Sequence, residues 1–336
     1  MHKQQCRPVF LVAILAQALL PALAQTGAVD PRLLSKAAAG DAAAETEVGV
    51  AYAEAKTVPR DYEQASKWFR KAAEQGDPDA EFNLGLLYRN GQGVPQDYTT
   101  AAALYTKAAE QGHPYAESNL AFLYHEGMGV ERDDARAAAL YMDAANQDDP
   151  AAQSSLAALY HLGEGVPRDE ALSVQWLSKA ALHGVAADEY LLGEDYEDGA
   201  GVPRDYAAAA GWYRKAAEQG FEAAQFSLAM CYTQGNGVPK DDTLAAEWLR
   251  KAAEQDNVDA QHNLGVFHAL GRGVPQDYAE AYFWLLLSSD KLTGPERDQA
   301  TAARDDSASH LTLAGRAAVA ERATSWRASH SQAGAE

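Results

Sequence analysis

A Gly-x-Gly-Val-Pro-x-Asp signature recurs every 36 residues, its valine falling at Val58, Val94, Val130, Val166, Val202, Val238 and Val274. A period held through seven copies marks a repeat array, in which each unit stacks on its neighbours and the chain offers an extended surface. It argues against a compact single-core enzyme, so function must be sought on that surface.

Residues 80–115 serve as the type unit. Ala80, Leu84, Gly85 and Tyr88 fall on one face of a first helix, A, expected from about Ala80 to Asn90. Gly91 suits the left-handed residue that ends a helix, and Gly93 keeps the following turn open. Val94-Pro95 is extended, because the residue before proline avoids helical angles. Asp97 is placed to cap a second helix, B, from about Tyr98 to Gln111, with Ala101, Leu104, Ala108 and Ala109 as its inner stripe. Gly112 closes helix B, and Pro114 separates it from the next unit. Neither short helix buries its apolar face alone, and stacking of copies resolves this.

The same slots recur. The N-cap aspartates are Asp61, Asp97, Asp133, Asp169, Asp205, Asp241 and Asp277. The helix A aromatic is Tyr52, Tyr88, Tyr124, Tyr160, Tyr196 or Tyr232, then His268. The expected core anchor of helix B is Trp68, Leu104, Leu140, Trp176, Trp212, Trp248 or Trp284. Five of six tryptophans occupy that slot, which reads them as scaffold and not as a ligand site.

The pattern Ala-x-x-x-Leu-Gly-x-x-Tyr-x-x-Gly-x-Gly-Val-x-x-Asp-x-x-x-Ala-x-x-Trp-x-x-x-Ala-Ala-x-x-Gly, clear at residues 80–112 and 260–285, resembles the Sel-one-like repeat, a relative of the tetratricopeptide repeat. The resemblance covers about residues 44–294. It implies an all-α, right-handed α-α superhelix whose helices A line a concave face, and a role as a protein-binding scaffold, often exported in bacteria. Some copies depart from the pattern. Ala55 and Thr57 replace the turn glycines of the first, Glu131 the proline of the third, and Asp188 the small alanine of the fifth. Asp148 and Asp256 replace the glycine after helix B, where aspartate tolerates left-handed angles. Disulfide-clamped exported relatives carry cysteines that this chain lacks, so helix packing must suffice.

Residues 1–24 read as a cleaved signal peptide: His2, Lys3 and Arg7, an apolar run from Val9 to Leu20, and Ala22-Leu23-Ala24 before Gln25. An uncleaved anchor is the competing reading. No other stretch suits a membrane span, so a soluble periplasmic or secreted chain is expected. Cleavage leaves Cys231 alone, a buried apolar thiol. Residues 25–43 form a capping half-repeat through Leu33, Leu34, Ala37 and Ala38; residues 295–336 hold capping helices, with Leu311, Val319, Ala323 and Trp326 over the exposed end, and about eight disordered final residues. The net charge of −20 disfavours nucleic acid and anionic lipid. Residues 291–336 balance six basic against six acidic side chains, so the excess acid belongs to the repeats.

Candidate partner-binding residues lie on helix A away from the core: Phe82, Leu86 and Arg89; Phe122 and His125; His161; Tyr190, Glu194 and Glu197; Phe226 and Met230; and His262. They vary between copies while the scaffold does not, as a tailored groove would; the bland alternative is inter-repeat packing and solvation. Asp188, Glu189, Glu194, Asp195, Glu197 and Asp198 crowd one helix A, which suggests capture of a basic segment. No catalytic, cofactor or metal set stands out. Ser288-Ser289-Asp290-Lys291 matches the Ser-x-x-Lys of β-lactamase-like hydrolases without its companion motifs, and His125-Glu126 lacks the second histidine of a zinc helix. A hydrolase or metal-dependent enzyme on a repeat scaffold is the alternative reading. Neither the partner nor the oligomeric state is legible.

Overall fold

The computed structural model describes residues 27–55 and 58–332; the proposed leader and Thr57 lie outside them. Among the described residues every regular element is an α-helix: α1 (Pro31–Ala38), α2 (Ala42–Glu54), α3 (Tyr62–Glu74), α4 (Pro78–Asn90), α5 (Tyr98–Glu110), α6 (Pro114–Glu126), α7 (Asp134–Asn146), α8 (Pro150–Leu162), α9 (Glu170–Ala181), α10 (Ala186–Asp198), α11 (Tyr206–Glu218), α12 (Glu222–Gln234), α13 (Asp242–Glu254), α14 (Val258–Leu270), α15 (Tyr278–Ser289), α16 (Gly294–Ser309) and α17 (Leu313–Gln332). The chain divides into two compact units, one up to Ala180 and one from Ala181. Within each, consecutive helices pack in sequence order.

Caps set the helix bounds. Asp97 accepts backbone N–H bonds from Thr99 and Thr100, and each of the six equivalent aspartates accepts one or two such bonds from its own first turn. Pro114 begins α6 at its first turn, where the missing N–H costs nothing. Helix A ends on a left-handed residue, Gly91 in the type unit, whose N–H returns to Leu87. Ala55 adopts the same left-handed cap, with φ 56°. Gly93 does more than hold the turn open. A Cβ there would lie 2.3 Å from the Tyr62 backbone in the preceding copy, so glycine is needed for close approach between repeats as well as for its φ of 67°.

The core anchor is not the tryptophan slot. It is the next residue: Phe69, Tyr105, Tyr141, Leu177, Tyr213, Leu249 and Leu285 are fully or almost fully buried. One residue is about 100° around a helix, and Ala101, Ala102, Tyr105 and Ala108 define a stripe that leaves Leu104 on its flank. Tyr105 lies across Gly85 so closely that a Cβ there would sit 2.6 Å from its ring; Gly193 and Tyr213 repeat the contact. Trp68, Trp212 and Trp248 are half-buried, each under a lysine three residues on, at 4.2, 3.7 and 3.8 Å. Trp176 and Trp284 are buried. Trp284 is closed over by the tail, where Trp326 meets it edge-on at 5.5 Å and Val319 and Ala323 join the same cluster. Leu311 falls in the turn between α16 and α17 and is half-buried. At the front, Ala37 is buried with Val29, Ala44 and Val48, whereas Ala38 is exposed. Of the final residues expected to be disordered, 329–332 continue α17 and 333–336 lie outside the described residues.

A second lock is polar. The fourth residue of helix A is a buried Glu or Gln, and the glutamine capping helix B of the same copy donates to it: Gln75 to Glu45, Gln111 to Glu81, Gln147 to Glu117, Gln219 to Glu189 and Gln255 to Gln225. Burial pushes the Glu81, Glu117 and Glu189 carboxyls above their ordinary range, against the pull of these bonds. Asp148 and Asp256 take the left-handed position, with φ 69° and 70°, and each accepts from a buried glutamine five residues on, Gln153 and Gln261.

Tyr213→Ala is expected to cost about 3–5 kcal/mol in urea unfolding, and Trp212→Ala only about 1–2 kcal/mol. Equal losses would return the anchor to the tryptophan. The raised carboxyls bind protons more tightly folded than unfolded, so their contribution is fullest below the ordinary carboxylate range and is lost as pH rises through the raised values. A Glu81→Gln, Glu117→Gln, Glu189→Gln chain should therefore melt higher than wild type at pH 7, with the gap closing on acidification. A constant gap would refute the assignment.

Candidate functional site

Counting the first residue of each helix A as one, the fifth, ninth and twelfth residues form a stripe beside the core stripe, partly exposed except at Thr46 and Ser118, which are buried. In the second copy these are Phe82, Leu86 and Arg89; Phe122 and His125 are ninth and twelfth in the third, and His161 is twelfth in the fourth. The unit from Ala181 contributes Tyr190, Glu194 and Glu197, then Phe226 and Met230, then His262. All twelve are half-buried, so they are neither wholly core nor wholly solvated.

In the unit up to Ala180, the Phe82 ring stacks on His113 at 4.7 Å and tilts against Tyr105 at 6.0 Å. Leu86 packs on the cluster around Leu120. Arg89 donates to the Asn119 side chain and lies 5.7 Å from the Phe122 ring. His125 Nδ1 lies 2.9 Å from Asp134, and its Nε2 is 3.9 Å from both Glu126 and Glu164. His161 Nδ1 pairs with Glu170 at 2.8 Å. Arg132 holds Asp134 from the other side and depresses its carboxyl. Burial pushes Glu170 up, but Arg168 and His161 outweigh it and the net shift is downward.

In the second unit the acids of α10 do not form one patch. Asp188, Glu189 and Asp195 turn inward and are buried, because spacings of one, six and seven place them with Leu192 on the core face. Glu194 and Glu197 stay on the stripe. Tyr190 donates to Glu194 at 2.9 Å, and Tyr213 reaches from helix B to Glu197 at 2.6 Å. Burial and then these glutamates push both phenols up. The Tyr190 ring packs on Phe221 at 5.3 Å. Phe226 packs on the hydrophobic cluster, Met230 is half-buried beside it in sequence, and burial lowers the His262 pKa against the charges of Asp259 and Glu296.

The Ser-x-x-Lys match has the wrong geometry for acyl chemistry. Ser288 is fully buried with its hydroxyl on Leu285 O, and Lys291 is paired with Asp256. Cys231 is buried, its thiol pushed up to about 12 by burial. Among the described residues no group of three or more His, Cys, Asp or Glu is arranged to hold a metal.

A family model for the Sel1 repeat matches residues 42–77, 78–113, 114–149, 150–185, 186–221, 222–257 and 258–291. The chain belongs to the Sel1 repeat family. It is similar to the solved structure of c5321, a protective antigen of uropathogenic Escherichia coli with the same repeat fold, at 35% identity and a TM-score of 0.75 over 90% of this chain and 71% of that one. A Sel1 repeat protein from Oxalobacter formigenes is also 35% identical, with a TM-score of 0.61 over 80% of this chain and 77% of its own. Comparison with curated sequences finds no match. The fold class is thus the all-α solenoid of Sel1 repeats, a scaffold suited to protein–protein interaction.

Sequence reasoning missed Tyr105, Tyr141 and Tyr213, which run under the stripe from helix B. The available signal was a tyrosine in a slot that three other copies fill with leucine: a hydroxyl placed in a core position needs a reason.

Proposed function

We propose that the protein is an exported, non-catalytic scaffold that holds a protein or peptide along the helix A stripe, with Glu194 and Glu197 taking a basic segment of the partner. One observation carries this reading. Every helix A is 13 residues long and its core slots repeat, while the fifth, ninth and twelfth residues change from copy to copy and stay partly open at all but Thr46 and Ser118. A constant frame with a variable, half-exposed aromatic and charged stripe is what selective binding of an extended chain requires. The tyrosine bonds hold both glutamates in place before any partner arrives, which lowers the cost of ordering them. The net charge of −20 favours basic protein segments over nucleic acid, and no described helix is long and apolar enough to cross a membrane.

The mature chain recovered from the cell envelope should begin at Gln25 by mass; retention of residues 1–24 would support the anchor reading instead. Residues 25–336 should capture a specific envelope protein at low salt, and a Glu194→Lys, Glu197→Lys chain should lose it. Retention by the variant would remove these glutamates from the contact, and no capture by wild type would count against the scaffold role.

A further inference from the structure

We propose that Arg89 and the hydroxyl of Tyr105 form a carboxylate-binding subsite on the stripe. The argument is a comparison between two copies of one unit. In the fifth copy the helix B tyrosine, Tyr213, crosses Gly193 and its hydroxyl donates to the twelfth residue of helix A, Glu197, at 2.6 Å. In the second copy Tyr105 crosses Gly85 in the same way. There the twelfth residue is Arg89, so a carboxylate acceptor has been replaced by a cationic donor.

The consequences are visible. Tyr105 is fully buried, and its hydroxyl lies against the Arg89 guanidinium, a donor only, with no acceptor for its own proton. Arg89 is the charged group beside it, pulling the phenol pKa down against the larger upward push of burial. Arg89 itself meets neutral groups, the Asn119 amide oxygen, the Phe122 ring and the Tyr105 phenol. Three arginines near these turns are matched to acids, Arg132 to Asp134, Arg168 to Glu170 and Arg272 to Asp242, while Arg204 donates to the Asp198 carbonyl and Arg60 lies over Tyr62. In a chain with 48 acidic and 28 basic residues, a guanidinium without a carboxylate, over a hydroxyl whose proton has no acceptor, is a set of donors that lacks an anion. Tyr141, in the next copy, is another buried tyrosine, and there Ser155 supplies a hydrogen bond to the hydroxyl.

A carboxylate fits these donors in chemistry. Guanidinium N–H groups left over from the Asn119 bond can donate to it side by side, and the phenol adds a third bond once the arginine turns toward the ligand. The Phe82 ring lies 6.0 Å from that of Tyr105, and the Phe122 ring 5.7 Å from Arg89. That the carboxylate belongs to a protein partner rests on the scaffold reading; the binding of a carboxylate as such does not.

The test uses residues 25–336 with isotope-labelled arginine, following the Arg89 side-chain N–H resonance, assigned by its loss in Arg89→Gln. Sodium acetate should shift it saturably, whereas acetamide and sodium chloride should not. Tyr105→Phe should weaken acetate binding about tenfold, the loss of one charge-assisted hydrogen bond, yet melt at or above the wild-type temperature, because it removes a buried hydroxyl whose proton has no acceptor. N-acetylglycine binding more tightly than N-acetylglutamate α-amide would assign a chain terminus, and the reverse order an acidic side chain. Acetate acting no differently from chloride, or Tyr105→Phe binding acetate like wild type, would overturn the subsite. Failure to capture a partner would leave this readout intact.

Discussion

The rest of the structure depends on one contact, a bulky helix B side chain laid across the glycine or alanine of the partner helix A. Gly85 under Tyr105 and Gly193 under Tyr213 allow the two helices of a copy to approach until ring and backbone touch. Without that proximity the buried glutamate of helix A would not meet the glutamine that caps helix B, since both lie beside the same seam. The contact also carries a polar atom through the layer. A leucine in the slot ends inside the core, as Leu249 does, but a tyrosine delivers a hydroxyl to the far side, where the stripe begins. The helix pair is therefore stabilised and equipped for recognition by the same residue.

Much of this was legible in the sequence. The period named the architecture, and the aspartate, glycine and proline positions named the caps, because those residues act through local backbone geometry and need no knowledge of neighbours. The anchor was misread because tryptophan is the largest side chain in the motif, and size was taken for depth. Depth is decided by angle around the helix: Trp212 sits about 100° from Tyr213 and keeps one face under Lys215. The buried Glu81 series was unreadable for a related reason. A carboxylate is placed in a core only when a partner from elsewhere in the fold receives it, and Gln111 is 30 residues away.

The candidate stripe was reached by elimination, as the helix A positions away from the repeating Leu and Tyr slots, and its residues lie half-buried beside the core stripe. What elimination could not reveal was pairing. The six acids of α10 looked like one patch in one dimension; helical rotation turns three of them inward and leaves two beside tyrosines. Arg89 looked like one charged position among several, and becomes distinctive only against Glu197, its counterpart three copies later. Internal repetition supplies the comparison that a single-copy fold would not.

The left-handed residue after helix B has a bearing on how such arrays can be recombined. Every buried glutamate in the fourth slot of helix A, at positions 45, 81, 117 and 189, follows a glycine five residues earlier, whereas Asp148 and Asp256 precede glutamines. An aspartate facing a buried glutamate would set two carboxylates against each other in a site that already resists ionisation. The boundary between copies at Pro150 or Val258 therefore cuts through a coupled pair. Transplanted from that boundary, a helix A with glutamate would arrive behind a foreign aspartate. The unit that can be exchanged without penalty begins earlier, before the left-handed residue, so the module of recombination is offset from the module of pattern.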